Sequence, residues 1–128
     1  MDDVVEPAAE DFQLPRILAA LAEPSRLATV RHVARSGESC CSEVMQEAGL
    51  TMTKSTFSHH LRILREAGVL TKRISGTKGY TRMRKEDLDR RFPGLMDVII
   101  DVGDSQGPED QYRPGERTRG SASSANPT

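Results

Sequence analysis

Cysteine is scarce in this 128-residue chain, long apolar runs are missing and the net charge is only −1. Each shortage excludes something. Two adjacent cysteines, Cys40 and Cys41, cannot build the disulfide framework that staples small secreted domains. No segment approaches the roughly 18 consecutive apolar residues of a membrane helix. The opening residues Met1-Asp2-Asp3-Val4-Val5-Glu6 are acidic where a secretion signal would be basic and then apolar. A secreted mini-protein and a membrane protein are thereby set aside, and a reducing cytoplasm is the expected compartment. Apolar residues make up 36% of the chain, against about 45–50% in an average globular chain, so part of the length is expected to lie outside the core.

The near-zero charge hides an uneven distribution. Residues 1–11 carry five acids and no base, whereas residues 48–85 carry nine bases against Glu66 alone. Residues 97–116 then return six acids with only Arg113 opposing them. A chain tuned only for solubility interleaves its signs. A central block of net charge +8 is instead the footprint of a phosphate-backbone binder.

Periodicity supplies the frame for that block. Leu14, Ile17, Leu18 and Leu21 predict a helix over residues 11–22, with Pro15 near its start. Pro24 opens a second helix on Leu27, Val30, Val33 and Ala34, which stops near Ser36-Gly37. Ser39-Cys40-Cys41-Ser42 leads into a short helix on Val44, Met45 and Ala48 that ends at Gly49. Thr53 is the expected N-cap of a fourth helix ending at Gly68. Two short helices joined by a few residues around a glycine form a helix-turn-helix pattern.

Beyond Gly68 the period changes to that of strands. Val69–Ile74 and Tyr80–Arg84 read as a basic hairpin around the turn Ser75–Gly79. A short helix opens at Lys85, Pro93-Gly94 interrupts it, and Leu95, Met96, Val98, Ile99 and Val102 predict a last amphipathic helix ending at Gly103. The expected division is an acidic flexible arm over residues 1–10, a folded domain over 11–103 and a disordered tail over 104–128. The tail is too poor in apolar residues to offset its ordering entropy.

Projected at about 100° per residue, the fourth helix turns Phe57, Leu61 and Leu64 inward with His60 at their edge. Its opposite side carries Ser55, Ser58, His59 and Arg62, with Lys54 at the N-terminus. An ordinary solvated helix face is laced with Glu/Lys pairs. The run Lys54-Ser55-Thr56-Phe57-Ser58-His59-His60 is instead small and hydrogen-bonding, which suits a helix entering a major groove about 12 Å wide. The expected DNA contacts are therefore Lys54, Ser55, Thr56, Ser58, His59 and Arg62. Arg73, Thr77, Lys78 and Arg82 on the hairpin would touch backbone or minor groove, positioning the protein without reading sequence.

Ala22-Glu23-Pro24-Ser25-Arg26-Leu27 and the stretch Ser58-His59-His60-Leu61-Arg62-Ile63-Leu64-Arg65-Glu66-Ala67-Gly68 resemble the ArsR/SmtB family of bacterial winged-helix repressors. The resemblance runs from about Leu14 to Val102. It implies a mainly α fold with a small β-hairpin, a winged helix-turn-helix of order α-α-α-α-β-β-α, dimerising through its first and last helices. It also implies a homodimer on an imperfect palindromic double-stranded DNA operator, with recognition helices about 34 Å apart in successive grooves.

Many members of that family release DNA on binding a metal or thiol-reactive species. One family site places Cys-x-Cys before the third helix; here Cys40 matches, Ser42 stands at the second position and Cys41 lies between. The family's Asp/His site on the last helix has no counterpart, because residues 86–102 contain no histidine. Three readings of Cys40 and Cys41 stay open: inert packing, redox or thiol sensing, and a soft metal or metalloid site. No other cofactor is expected. Two functions compete with the repressor: a winged-helix protein-interaction module, and a thiol enzyme, which lacks any Asn/Asp/His constellation to activate a cysteine. The expectation is a regulator and not an enzyme.

Overall fold

The computed structural model describes residues 4–105, with side chains through residue 100. A single 3-10 turn (Ala9–Asp11) precedes α1 (Leu14–Leu21) and α2 (Pro24–Ser36). Then come β1 (Ser39–Cys40), α3 (Cys41–Glu47), α4 (Lys54–Ala67), β2 (Leu70–Ser75), β3 (Lys78–Met83), α5 (Lys85–Arg91) and α6 (Leu95–Ser105). Mainly helical architecture, the helix-turn-helix of α3 and α4 and the β2–β3 wing are all as the sequence led one to expect.

Local signals set the helix ends. Glu23 caps α2 by accepting from the Arg26 N–H at 3.1 Å, with Pro24 just inside the helix, where its missing N–H costs little. Thr53 caps α4 through its hydroxyl, 3.1 Å from the Thr56 N–H. Gly68 ends α4 at φ +98°, and a Cβ there would stand 2.4 Å from the Phe12 ring. Conformation and close packing therefore both require glycine at that corner.

The sheet differs from the expected hairpin. It has three antiparallel strands in the order β1-β3-β2, with Ser39 opposite Thr81 and Cys40 opposite Tyr80. Two residues are too short a strand to show period-two alternation, so β1 leaves no trace in the sequence. The wing turn is also tighter than residues 75–79: Ser75 pairs with Lys78, leaving a two-residue loop that starts at Gly76 with φ +63°. At the other end α1 starts at Leu14 rather than Asp11, because the chain closes its 3-10 turn first. The last helix continues past Gly103 to Ser105. The tail expected over 104–128 lies outside the described residues from 106 onward.

One core joins the layers. Ile17 and Leu21 of α1, Val30 and Val33 of α2, Val44 of α3 and Phe57 and Leu64 of α4 meet Leu70, Met83, Leu88 and Met96. The first residues were expected as a flexible arm, but residues 4–10 lie against the domain. The Glu6 carboxylate accepts from Arg65 Nε (2.8 Å), the Thr71 hydroxyl (2.6 Å) and the Lys72 N–H (3.2 Å). Arg84 donates to the Pro7 carbonyl at 2.6 Å, Arg91 donates to that of Ala9, and Ala9 itself is buried. These acids and carbonyls have cationic partners more than 55 residues away along the chain, which no local pattern reveals.

Candidate nucleic-acid interface

All ten expected contact residues are exposed: Lys54, Ser55, Thr56, Ser58, His59 and Arg62 on α4, and Arg73, Thr77, Lys78 and Arg82 on the wing. The reason on α4 is its opposite side, where Phe57 and Leu64 are buried and Leu61 half-buried. With that stripe locked into the core, the helix cannot roll, and its polar side must face outward. The free N–H groups of its first turn and the positive end of its dipole lie beside Lys54.

The helix is braced from behind. Arg26 of α2 bonds the Ala20 carbonyl through Nε at 2.7 Å and meets His60 Nδ1 at 3.1 Å through a terminal nitrogen. Since a guanidinium only donates, His60 accepts at Nδ1, in the neutral tautomer with its proton on Nε2. His60 therefore works on the scaffold, while its neighbour His59 is exposed. Arg26 lay inside a stretch that helped suggest the family, but its bond to a histidine 34 residues on had no local signal.

Not every expected cation is equally available. Arg62 pairs with Glu66 at 3.0 Å, an exposed i,i+4 pair that is worth little and exchanges readily for another anion. Arg73 is gripped by both oxygens of Glu38, at 2.8 and 2.9 Å, and its guanidinium stacks 4.9 Å from the centre of the Tyr80 ring. Hydrogen bonding to Arg73 holds the Glu38 carboxyl below its ordinary range. Glu38 is a neighbour of the wing that sequence reading missed, since its partner sits 35 residues away.

Three other bases of the central block are engaged elsewhere. Arg65 and Arg84 hold the N-terminal segment, and Lys85 pairs with Asp89 and Asp97 at 2.6 and 3.2 Å. The +8 block thus contains fewer outward cations than its sum implies.

Cys40 and Cys41 straddle the start of α3, and both are free thiols. Cys40 Sγ lies 3.3 Å from the Ser42 hydroxyl. Burial pushes the Cys41 thiol above its ordinary range; the charges of Lys72 and Arg65 oppose that rise without cancelling it. Cys41 is thus disfavoured as a thiolate, the form that ligates metals and attacks electrophiles. His32 does not join the cysteines, because its Nε2 meets Glu47 at 2.9 Å. Among the described residues no three His, Cys, Asp or Glu side chains converge to hold an ion.

A capped helix with an exposed polar face, seated on a second helix and flanked by a basic β-wing, defines a winged helix-turn-helix DNA-binding domain. Comparisons agree. A helix-turn-helix domain model matches residues 21–73. The chain is 33% identical over 92 residues to an uncharacterized HTH-type transcriptional regulator of Bacillus subtilis, YceK, covering 71% of this chain and 90% of that one. It is 34% identical over 87 residues to the arsenic resistance transcriptional regulator ArsR1 of Pseudomonas putida, covering 66% of each. The solution structure of a homodimeric winged helix-turn-helix DNA-binding domain from Mycobacterium bovis, a possible ArsR-family regulator, superposes with a TM-score of 0.56. That match is at 29% identity and covers 70% of this chain and 80% of the other. The chain belongs to the ArsR family of winged helix-turn-helix transcriptional regulators. The relatives are transcriptional regulators and not enzymes, and no described helix is long and apolar enough to cross a membrane.

Proposed function

We infer that the protein is a repressor that binds a palindromic operator as a homodimer, reading bases with Ser55, Ser58 and His59 of α4. The carrying observation is the outward polar face of α4, fixed by its buried stripe and its Thr53 cap. Lys54, Thr56 and Arg62 would meet phosphates beside those readers, with Arg73, Thr77, Lys78 and Arg82 doing the same from the wing. Two features support a two-fold partner. Leu18 of α1 and Val98 of α6 are 46% and 61% exposed and line one apolar groove with Leu21, Leu27 and Ile99. The Mycobacterium bovis relative is a homodimer. A self-complementary apolar face is most simply covered by a second copy about a two-fold axis. The test is a gel shift and footprint on the DNA upstream of the protein's own coding region. A two-fold footprint lost on Ser58→Ala and His59→Ala supports the reading. Binding without sequence preference would return the domain to a protein-interaction role.

Release by a soft metal, a metalloid or a thiol oxidant at Cys40 and Cys41 is the second reading. It is favoured by two adjacent free thiols at the foot of α3 and by likeness to a regulator named for arsenic resistance. Titrating the protein–operator complex with arsenite, zinc and peroxide tests it, with the Cys40→Ser/Cys41→Ser double variant as the control that must stay bound.

A further inference from the structure

A cavity of about 480 Å³ opens between α3, α4 and the inner end of the wing, with Val4 of the N-terminal segment at its side. Its apolar lining comes from Met45, Phe57, Leu61 and the Cys41 side chain. Its charged lining is cationic, from Lys54, Arg62, Arg65 and Lys72, and no carboxylate contributes. Arg62 and Arg65 already face Glu66 and Glu6. Lys54 and Lys72 have no carboxylate partner among the described residues. The volume falls within the range of about 300–1,000 Å³ typical of small-molecule sites.

We propose that this cavity is an effector site for an amphiphilic carboxylate, an apolar body lying on Met45, Phe57 and Leu61 with its anionic head between Lys54 and Lys72. Each part of the ligand answers a separate need of the site. A purely apolar guest would bring two ammonium groups no counter-charge, and a small inorganic anion would leave the apolar lining unfilled. Because the Cys41 thiol favours its neutral form, it adds apolar surface to the floor without repelling the head. The regulatory consequence rests on the repressor reading above: Lys54, Ser58 and Arg62 line the cavity and also belong to the outward side of α4. A bound carboxylate neutralises cations that DNA phosphates would otherwise meet, so ligand and operator compete.

Decanoate is the probe, with decanol as its uncharged counterpart, in a titration of the full chain carrying 13C-methyl methionine. Met45 reports the cavity, while Met96, a buried residue of α6, reports the helix that carries the apolar groove. Decanoate should shift the Met45 methyl and leave Met96 in place. Decanol should bind at least about tenfold more weakly for want of the charge. Lys72→Met, which removes a cation outside the proposed DNA contacts, should weaken decanoate by about tenfold while operator affinity stays as in the parent. In gel shifts decanoate should raise the operator Kd of the parent and act far less on Lys72→Met. Shifts at Met96 without Met45, equal affinities for decanol and decanoate, or no saturable binding would each overturn the site. Saturable binding at Met45 in a chain that binds no operator would leave the site standing and remove the repressor reading instead.

Discussion

Two sets of basic side chains on and around α4 have opposite fates. On the outer side Lys54, Ser55, Ser58, His59 and Arg62 are exposed, and Arg62 meets Glu66 in an exposed ion pair. Toward the N-terminal segment Arg65 is only 12% exposed and is held by Glu6, while Arg84 and Arg91 grip the carbonyls of Pro7 and Ala9. A cation is available to a partner only if its own chain has not already supplied an anion or a carbonyl. The acidic start of the chain does this on one side, and in doing so separates structural from recognition charge.

The contrast can be broken most severely at the apolar groove of α1 and α6, where the proposed second copy would sit. Leu18→Glu with Val98→Glu should convert the protein to a monomer by sedimentation. Specific operator affinity should then fall by at least about a hundredfold, since one half-site forfeits the contacts of the other. Next in size is the structural side: Arg65→Ala leaves the Glu6 carboxylate without its main partner. Stability to urea should drop by about 2 kcal/mol, with the remaining folded protein still recognising its operator. On the outer side, His59→Ala should cost about 1–2 kcal/mol of operator affinity and leave urea stability unchanged. Unchanged operator affinity would show that α4 is docked differently from the placement proposed here.

A pH experiment sharpens the same contrast. Burial pushes the Glu6 carboxyl up, but bonds from Thr71, Arg65 and Lys72 and the charge of Arg65 outweigh it, leaving it below its ordinary value. Glu6 therefore adds stability that is fully present above its unfolded pKa of about 4.3 and is lost as pH falls through the folded value. Glu6→Gln should flatten the acid limb of urea stability, by about 1 kcal/mol, with no effect on DNA affinity near neutral pH. The smallest effect belongs to the wing. Arg82→Ala should weaken all DNA sequences alike and reduce the salt slope of binding by about one.

Legibility followed sequence distance. The Pro24 start of α2, the Thr53 cap, the α4 stripe of Phe57, Leu61 and Leu64 and the stop at Gly68 each lie within a helix or one residue of it. All were readable, because helix ends and faces are set by neighbours three or four positions apart. The outward side of α4 was therefore readable as well. Strand β1 was not, because two residues carry no period and its partner Thr81 is supplied from far along the chain. The same holds for Glu38 with Arg73, Arg26 with His60 and Glu6 with Arg65.

Amino-acid order alone settled the helices, their faces and the family, since periodicity, caps and turn glycines act locally and tolerate changes elsewhere. Folding in three dimensions decided which cations stay outside, what the acidic beginning does and that a cavity with both apolar and cationic lining opens beside α4. Those outcomes depend on groups up to 82 residues apart meeting in space, and charge or hydrogen-bond complementarity at that separation leaves no pattern along the chain.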